Sequence, residues 1–268
     1  MNKIWPNSES TMNDTISQIR QRLADMQRAH DCRLLFAAES GSRSWGYASL
    51  NSDYDVRCVY YHPQACYLRV YPPRDTIEWE LNEVFDINGW DLRKALHLAL
   101  KSNVSIHEWA HSPIMYETSP YLDEFRALIE QVMQPERLAY RYVGMAFSTF
   151  KRYLEAPQVP YKEYFYCIRP LLAARWVLRE RRPAPVPFAE LREALLPADM
   201  QDEVDTLLEL RASSTEKAVG PVRPVAAAFI QREIESLRAT LDAAPELPFP
   251  DPAPLDDFFR RVVAENGD

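Results

Sequence analysis

The sequence is short of several things that would each point to a function. It has no excess of basic residues: 31 Lys and Arg stand against 39 Asp and Glu, a net charge of −8. No global positive field draws nucleic acid or an anionic membrane to the surface, so binding RNA would need a local basic patch. No apolar run approaches the length of a membrane span. The N-terminal Met-Asn-Lys-Ile-Trp-Pro-Asn-Ser-Glu-Ser has no signal-peptide core. Cysteine is scarce. Cys32, Cys58, Cys66 and Cys167 are widely spaced and fit no zinc pattern. Cys32 and Cys58 fall in β-prone runs, where buried free thiols are expected, and a reduced cytoplasm is the expected setting. No internal repeat is present. What is there, 47% hydrophobic and 26% charged residues over 268 positions, suits a globular protein of one large domain or two small ones.

One stretch carries chemistry. The apolar run Leu34 to Ala38 leads into Glu39-Ser40-Gly41-Ser42, and after an excursion over residues 43–52 Asp53-Tyr54-Asp55 opens a second β-prone run, Val56 to Tyr61. Along a strand, side chains alternate faces, so Asp53 and Asp55 point one way and Tyr54 the other. Two neighbouring carboxylates repel unless a cation lies between them. Hard oxygen ligands suit Mg²⁺, commonly held by one or two carboxylates and substrate phosphates. Gly41 lets the main chain approach a bulky anion, and the Ser42 hydroxyl with the turn's N–H groups can bind phosphate oxygens. A lone Asp-x-Asp is expected by chance in so acidic a chain, and acids in a polar turn can simply be turn formers. The Gly-Ser turn after one strand and the second strand behind the acids reverse that weighting.

Gly41-Ser42 and Asp53-Tyr54-Asp55-Val56 resemble the signature of the DNA polymerase β-like nucleotidyltransferase superfamily. The longer text from Glu39 through Trp45-Gly46-Tyr47 to Arg57 is similar to one branch, the RNA repair pathway DNA polymerase β family. Two later stretches agree, Asp86-Ile-Asn-Gly-Trp-Asp-Leu-Arg-Lys-Ala-Leu and Tyr166-Cys-Ile-Arg-Pro-Leu-Leu. The resemblance implies a third carboxylate on a neighbouring strand. Residues 84–88 read as that strand, ended by Gly89, with Asp86 facing the same way as Asn88. Asp91 competes for the role but is well placed to cap a helix over 92–101. The implied site is catalytic Asp53, Asp55 and Asp86 holding two Mg²⁺ ions, with Mn²⁺ as the alternative. A nucleoside triphosphate is the implied substrate, and an RNA end the first candidate acceptor.

An amphipathic helix over 13–30 precedes the first strand. Trp45 and Tyr47 are expected to pack as a lid over the turn. His62-Pro63 breaks the second strand; Tyr67 to Tyr71 is β-prone, and Thr76 to Leu81 alternates. Beyond residue 104 the spacing is helical, with prolines at 113, 135, 157, 160 and 183 as punctuation. The expected fold is α/β (α+β): a small mixed sheet over residues 1–132 as the catalytic domain, then a helical domain over 133–268 closing the cleft. Lys162, Tyr166 and Arg169 share one face of a helix over 161–182 and can meet phosphate. Arg43 and Arg57, near the acids, are further phosphate contacts.

Two other classes fit parts of the text. His107-Glu108-Trp109-Ala110-His111 spells a zinc-peptidase box, with His107 and His111 as ligands and Glu108 as base, but no further histidine follows. A degenerate nucleotide- or partner-binding module is the other; the complete Gly-Ser and Asp-x-Asp text argues against it.

Overall fold

The computed structural model describes residues 9–49, 52–214, 218–245 and 247–265; residues 50 and 51 of the 43–52 excursion lie outside it. Helix α1, Glu9–His30, precedes strand β1, Arg33–Glu39. Ile19, Leu23 and Met26, spaced four and three apart, form the buried stripe that seats α1 on the sheet. A short helix α2, Gly41–Trp45, follows β1, and strand β2 runs over Tyr54–Tyr61. Then come α3 (Gln64–Tyr67), β3 (Thr76–Leu81), β4 (Phe85–Asp91), α4 (Leu92–Leu100), α5 (Val104–Ala110), β5 (Met115–Thr118) and α6 (Leu122–Gln131).

The five strands order as β3-β4-β2-β1-β5. β2 and β4 are parallel, and every other neighbouring pair is antiparallel. One face packs on α1 through Val56, Cys58, Tyr60 and Ile87. The other packs Leu35, Phe36, Val59 and Tyr61 against α4, α5 and α6. Because both faces are covered, β1 reads as a continuous apolar run.

The rest is mainly helical: α7 (Pro135–Thr149) extended by a π turn, β6 (Gln158–Pro160), α8 (Tyr161–Glu180), α9 (Phe188–Leu195), α10 (Gln201–Ala212), β7 (Val219–Pro221) and α11 (Pro224–Asp242). These helices share a core that also takes in Tyr47 and Val104 from the sheet-bearing half. The final helix α12, Ala253–Glu265, returns to the sheet, burying Leu255, Phe258 and Val262 beside Phe36 and Leu96. The fold is therefore a mixed α+β one, as the sequence implies.

Several elements differ from expectation. Gly89 does not end β4, which continues to Asp91. A Cβ at Gly89 would lie 2.4 Å from Cys58 Sγ, so the glycine there makes room for a side chain of the adjacent strand. The β-prone Tyr67 to Tyr71 forms the end of a short helix and a loop with Leu68, Val70 and Tyr71 exposed. The small-residue turn at Gly41 is a helical turn instead. β5, β6 and β7, of four, three and three residues, are too short to show a period in the sequence.

Candidate active site

The antiparallel pairing of β1 and β2 sets the end of one beside the start of the other, with Glu39 opposite Val56. The turn after β1 is thereby laid against Asp55: Ser40 N–H donates to the Asp55 carbonyl at 2.8 Å. Gly41 has φ +63°, and a Cβ there would fall 2.2 Å from Asp55 Oδ2. Only glycine allows both the left-handed conformation and this approach. Gly41→Ala is expected to cost roughly 1–3 kcal/mol in backbone strain and to push the Asp55 carboxylate aside. A urea titration and a crystal structure of the variant check both halves of that expectation.

Parallel pairing of β2 and β4 places Asp55 opposite Asp86 and Arg57 opposite Asn88. All four side chains therefore share one face. Arg57 Nη2 lies 2.9 Å from Asp55 Oδ1 and 2.7 Å from Asp86 Oδ2, and Nη1 donates to the Asp86 carbonyl at 2.7 Å. Asn88 donates to the other Asp86 oxygen at 3.3 Å. Asp91 is occupied otherwise: it accepts from Arg93 N–H at 2.8 Å, capping α4, and from the Tyr67 hydroxyl at 2.7 Å. Of the two candidate third acids, Asp86 is the one beside Asp55.

Asp53 lies one residue ahead of β2, half-buried, and no described residue hydrogen-bonds its carboxylate. Its main chain is held by Arg43, whose Nε donates to the Asp53 carbonyl at 2.8 Å and whose Nη2 donates to that of Ser52 at 2.5 Å. The same guanidinium stacks 3.8 Å from the Tyr54 ring centroid. Carboxylate oxygens of this kind suit a hard cation whose other ligands are phosphate oxygens. Both Asp86 oxygens are already engaged, one by Arg57 and the other by Asn88.

Behind Asp55 sits an acid to which the sequence reading assigns no role. Glu39, 1% exposed, accepts the Asp55 N–H at 3.0 Å on Oε1 and the Tyr116 hydroxyl on Oε2. A lone acid closing an otherwise apolar strand, next to a Gly-Ser turn, was the available signal. Burial pushes its carboxyl up to about 7, against the lowering pull of Tyr116 and the Asp55 N–H. An acid raised in the folded state contributes its full stabilisation below about 4.5 and loses it as pH rises through about 7. Glu39→Gln should therefore gain on the wild type by roughly 2–3 kcal/mol between about pH 5 and pH 8, read from unfolding free energies of metal-free protein.

Arg169, expected to meet phosphate with Lys162 and Tyr166, is instead 2% exposed and turned to a protein carboxylate. Its Nη1 donates to Glu108 Oε1 at 2.7 Å, and Nε and Nη2 donate to the Val186 carbonyl at 3.1 and 3.0 Å. Glu108 also accepts from Tyr142 Oη at 3.0 Å and Trp45 Nε1 at 3.1 Å. The Arg169 guanidinium stacks 4.7 Å from the Trp45 ring, and Tyr166 meets that ring edge-on at 5.3 Å. Tyr47 stacks on Phe165 at 4.9 Å. The excursion after the turn is thus packed onto α8. Lys162 is half-buried one turn before Tyr166, and its charge is felt by Glu163.

Glu108 is consequently no peptidase base. His107 is buried without a hydrogen bond to either ring nitrogen, while His111 is bonded to the His107 carbonyl and to Glu130, each at 2.8 Å. Among the described residues no three His, Cys, Asp or Glu side chains stand ready to hold a metal ion, and this includes Asp53, Asp55 and Asp86, where Arg57 lies between the last two. A separate cavity of about 960 Å³, lined by Lys101, Arg137, Tyr140 and Arg141 among others, includes none of the candidate site residues.

Acids on a parallel strand pair beside a glycine turn are the arrangement that the resemblance to polymerase β-like nucleotidyltransferases implies. Similarity to a protein family makes the kinship specific. The RNA repair pathway DNA polymerase beta family matches residues 15–261, and the chain belongs to it. Uncharacterized protein YcgL of Bacillus subtilis (strain 168) is 35% identical over 235 residues, 85% of this chain and 89% of that one. A crystal structure of a nucleotidyltransferase-like protein from Exiguobacterium sibiricum aligns over 94% of this chain and 80% of its own, at 12% identity and a TM-score of 0.32. No helix among the described residues is long and apolar enough to cross a membrane.

Proposed function

We propose that the chain is a metal-dependent nucleotidyltransferase, moving a nucleoside monophosphate from a nucleoside triphosphate to an acceptor hydroxyl. The observation that carries this reading is the parallel register that sets Asp55 beside Asp86 next to the Gly41 turn. Asp53, Asp55 and Asp86 are the residues that would hold Mg²⁺, with Mn²⁺ as the alternative. Two such ions, when bound, stabilise the attacking and leaving oxygens of an in-line displacement. The acceptor hydroxyl oxygen would bond to the α-phosphorus and release its proton to solvent as the α–β bridge breaks, and pyrophosphate leaves.

Gly41 gives the β- and γ-phosphates access to the main chain, and Ser42 donates its hydroxyl to them. Arg43 fixes the main chain that carries Asp53. Lys162 supplies a cation on the side where Tyr166 meets Trp45. Arg169 acts through Trp45, steadying the helical turn that follows Gly41. Residues 1–132 then form the catalytic domain and 133–268 the helical part that closes one side of the cleft, its last helix reaching back to the sheet. The proposed acceptor is an RNA end, which the family's description as an RNA repair pathway supports, and the proposed setting is the cytoplasm.

The test is a transfer assay with α-labelled nucleoside triphosphates, Mg²⁺ and pools of RNA, protein and aminoglycoside acceptors. Label is expected on RNA ends. Label on protein or aminoglycoside would keep the transfer and replace the acceptor; no labelled product with any triphosphate would sink the reading.

A further inference from the structure

We propose that Arg57 is the resident cation of the Asp55–Asp86 pair, and that it has to leave Asp86 before that acid can serve as a metal ligand. In the nucleotide-free protein, metal is then held by Asp53 and Asp55 alone. The site is completed only when a polyphosphate draws the guanidinium away. The inference rests on the nucleotidyltransferase reading and adds an order of events to it.

Geometry carries the argument. Two carboxylates in register on adjacent parallel strands repel unless a positive charge lies between them. Arg57 follows Asp55 by two residues, so the pleat returns it to the same face. Its Nη2 reaches both carboxylates, at 2.9 and 2.7 Å, and its Nη1 reaches the main-chain oxygens of Asp86 at 2.7 Å and Val56 at 3.2 Å. One guanidinium thus meets four oxygens, and its side chain is 15% exposed. A divalent ion bridging Asp55 to Asp86 would face that charge within a few ångströms in a partly desolvated site. An Arg fork also binds phosphate in bidentate fashion. An arriving triphosphate therefore offers Arg57 an alternative partner as it frees Asp86. The same movement brings Arg57 to the phosphate, the contact its position near the acids implies.

The experiment is Mn²⁺ titration of nucleotide-free protein, read by the electron paramagnetic resonance of free Mn²⁺, for wild type, Arg57→Gln, Arg57→Lys and Asp53→Ala. Arg57→Gln is expected to bind Mn²⁺ about ten-fold more tightly or to add a second ion per chain, since a competing unit charge is gone. Arg57→Lys should shift in the same direction by less, because the ammonium keeps a unit charge near the acids but lacks the second nitrogen that ties the guanidinium to the Asp86 and Val56 carbonyls. Thermal unfolding verifies that each variant is folded, and Arg57→Lys decides the matter if Arg57→Gln is not. Wild-type binding that Asp53→Ala removes but neither Arg57 variant tightens would overturn this inference and leave the nucleotidyltransferase reading standing. Binding in no variant, or binding indifferent to Asp53→Ala, would likewise overturn this inference, because no nucleotide-free site at these acids is then left for Arg57 to restrict; the nucleotidyltransferase reading stands or falls on the transfer assay.

Discussion

Asp53→Ala combined with Asp55→Ala is expected to lower nucleotidyl transfer by about a thousand-fold or more while the protein stays folded. Stabilisation of an in-line displacement by bound ions is worth several kcal/mol, and each 1.4 kcal/mol or so is ten-fold in rate. On the proposed reading these two acids hold such an ion, so the loss should approach the whole of that term. The fold has little invested in them. The Asp53 carboxylate has no hydrogen-bond partner among the described residues, and the loop beside it is held through its carbonyl by Arg43, a bond that alanine keeps. The Asp55–Arg57 pair is partly exposed, at 24% and 15%, and Arg57 keeps Asp86 when Asp55 is lost. Such a pair contributes about 1 kcal/mol or less. Initial transfer rates at saturating nucleotide and metal, set beside circular dichroism and melting curves, separate the two effects. Transfer that survives both substitutions would remove the acids from the chemistry.

How far this site could be read from the chain follows from which contacts are local. Asp53, Asp55 and the Gly41 turn lie close in sequence and announce themselves by residue type. Asp86 required one further assumption, that its run was a neighbouring strand, and alternation then put it on the correct face with Asn88. Gly89 misled because glycine reads as a terminator; its real partner, Cys58, is on another strand and invisible to local pattern. The role of Arg57 was also hidden. Nearness to the acids suggested phosphate, but its place between Asp55 and Asp86 exists only once β2 and β4 pair. The same holds for Arg169. Helical spacing put it on a face with Lys162 and Tyr166 and said nothing of Glu108, which arrives from a helix on the sheet-bearing half. Helix positions were legible because amphipathic periods run for many residues, whereas β5, β6 and β7 are defined by their partners.

Arg169→Ala should be the most damaging single change away from the acids, destabilising the protein by roughly 3–5 kcal/mol. The guanidinium is 2% exposed and its partner Glu108 nearly as buried. Burial, the largest single influence, acts to lower the pKa of Arg169, but Glu108, through its charge and its hydrogen bond, together with Tyr142 and Tyr47 raises it on balance, so the guanidinium stays charged. Truncating the arginine strands a carboxylate in the interior with only the Tyr142 hydroxyl and the Trp45 N–H for compensation. It also empties the space over the Trp45 ring and frees the Val186 carbonyl. Glu108→Gln added to Arg169→Met should recover a large part of the loss, since the amide oxygen still accepts a hydrogen bond and no charge is left unpaired. The coupling expected between the two sites is about 1–3 kcal/mol, measurable as a double-mutant cycle in urea. Because Trp45 closes the helical turn that starts at Gly41, the same cycle should appear in the Michaelis constant for nucleotide more than in the turnover number. If the single variant unfolds at wild-type urea concentrations, the pair is no structural tie; if it is destabilised but binds nucleotide normally, the turn does not depend on Trp45.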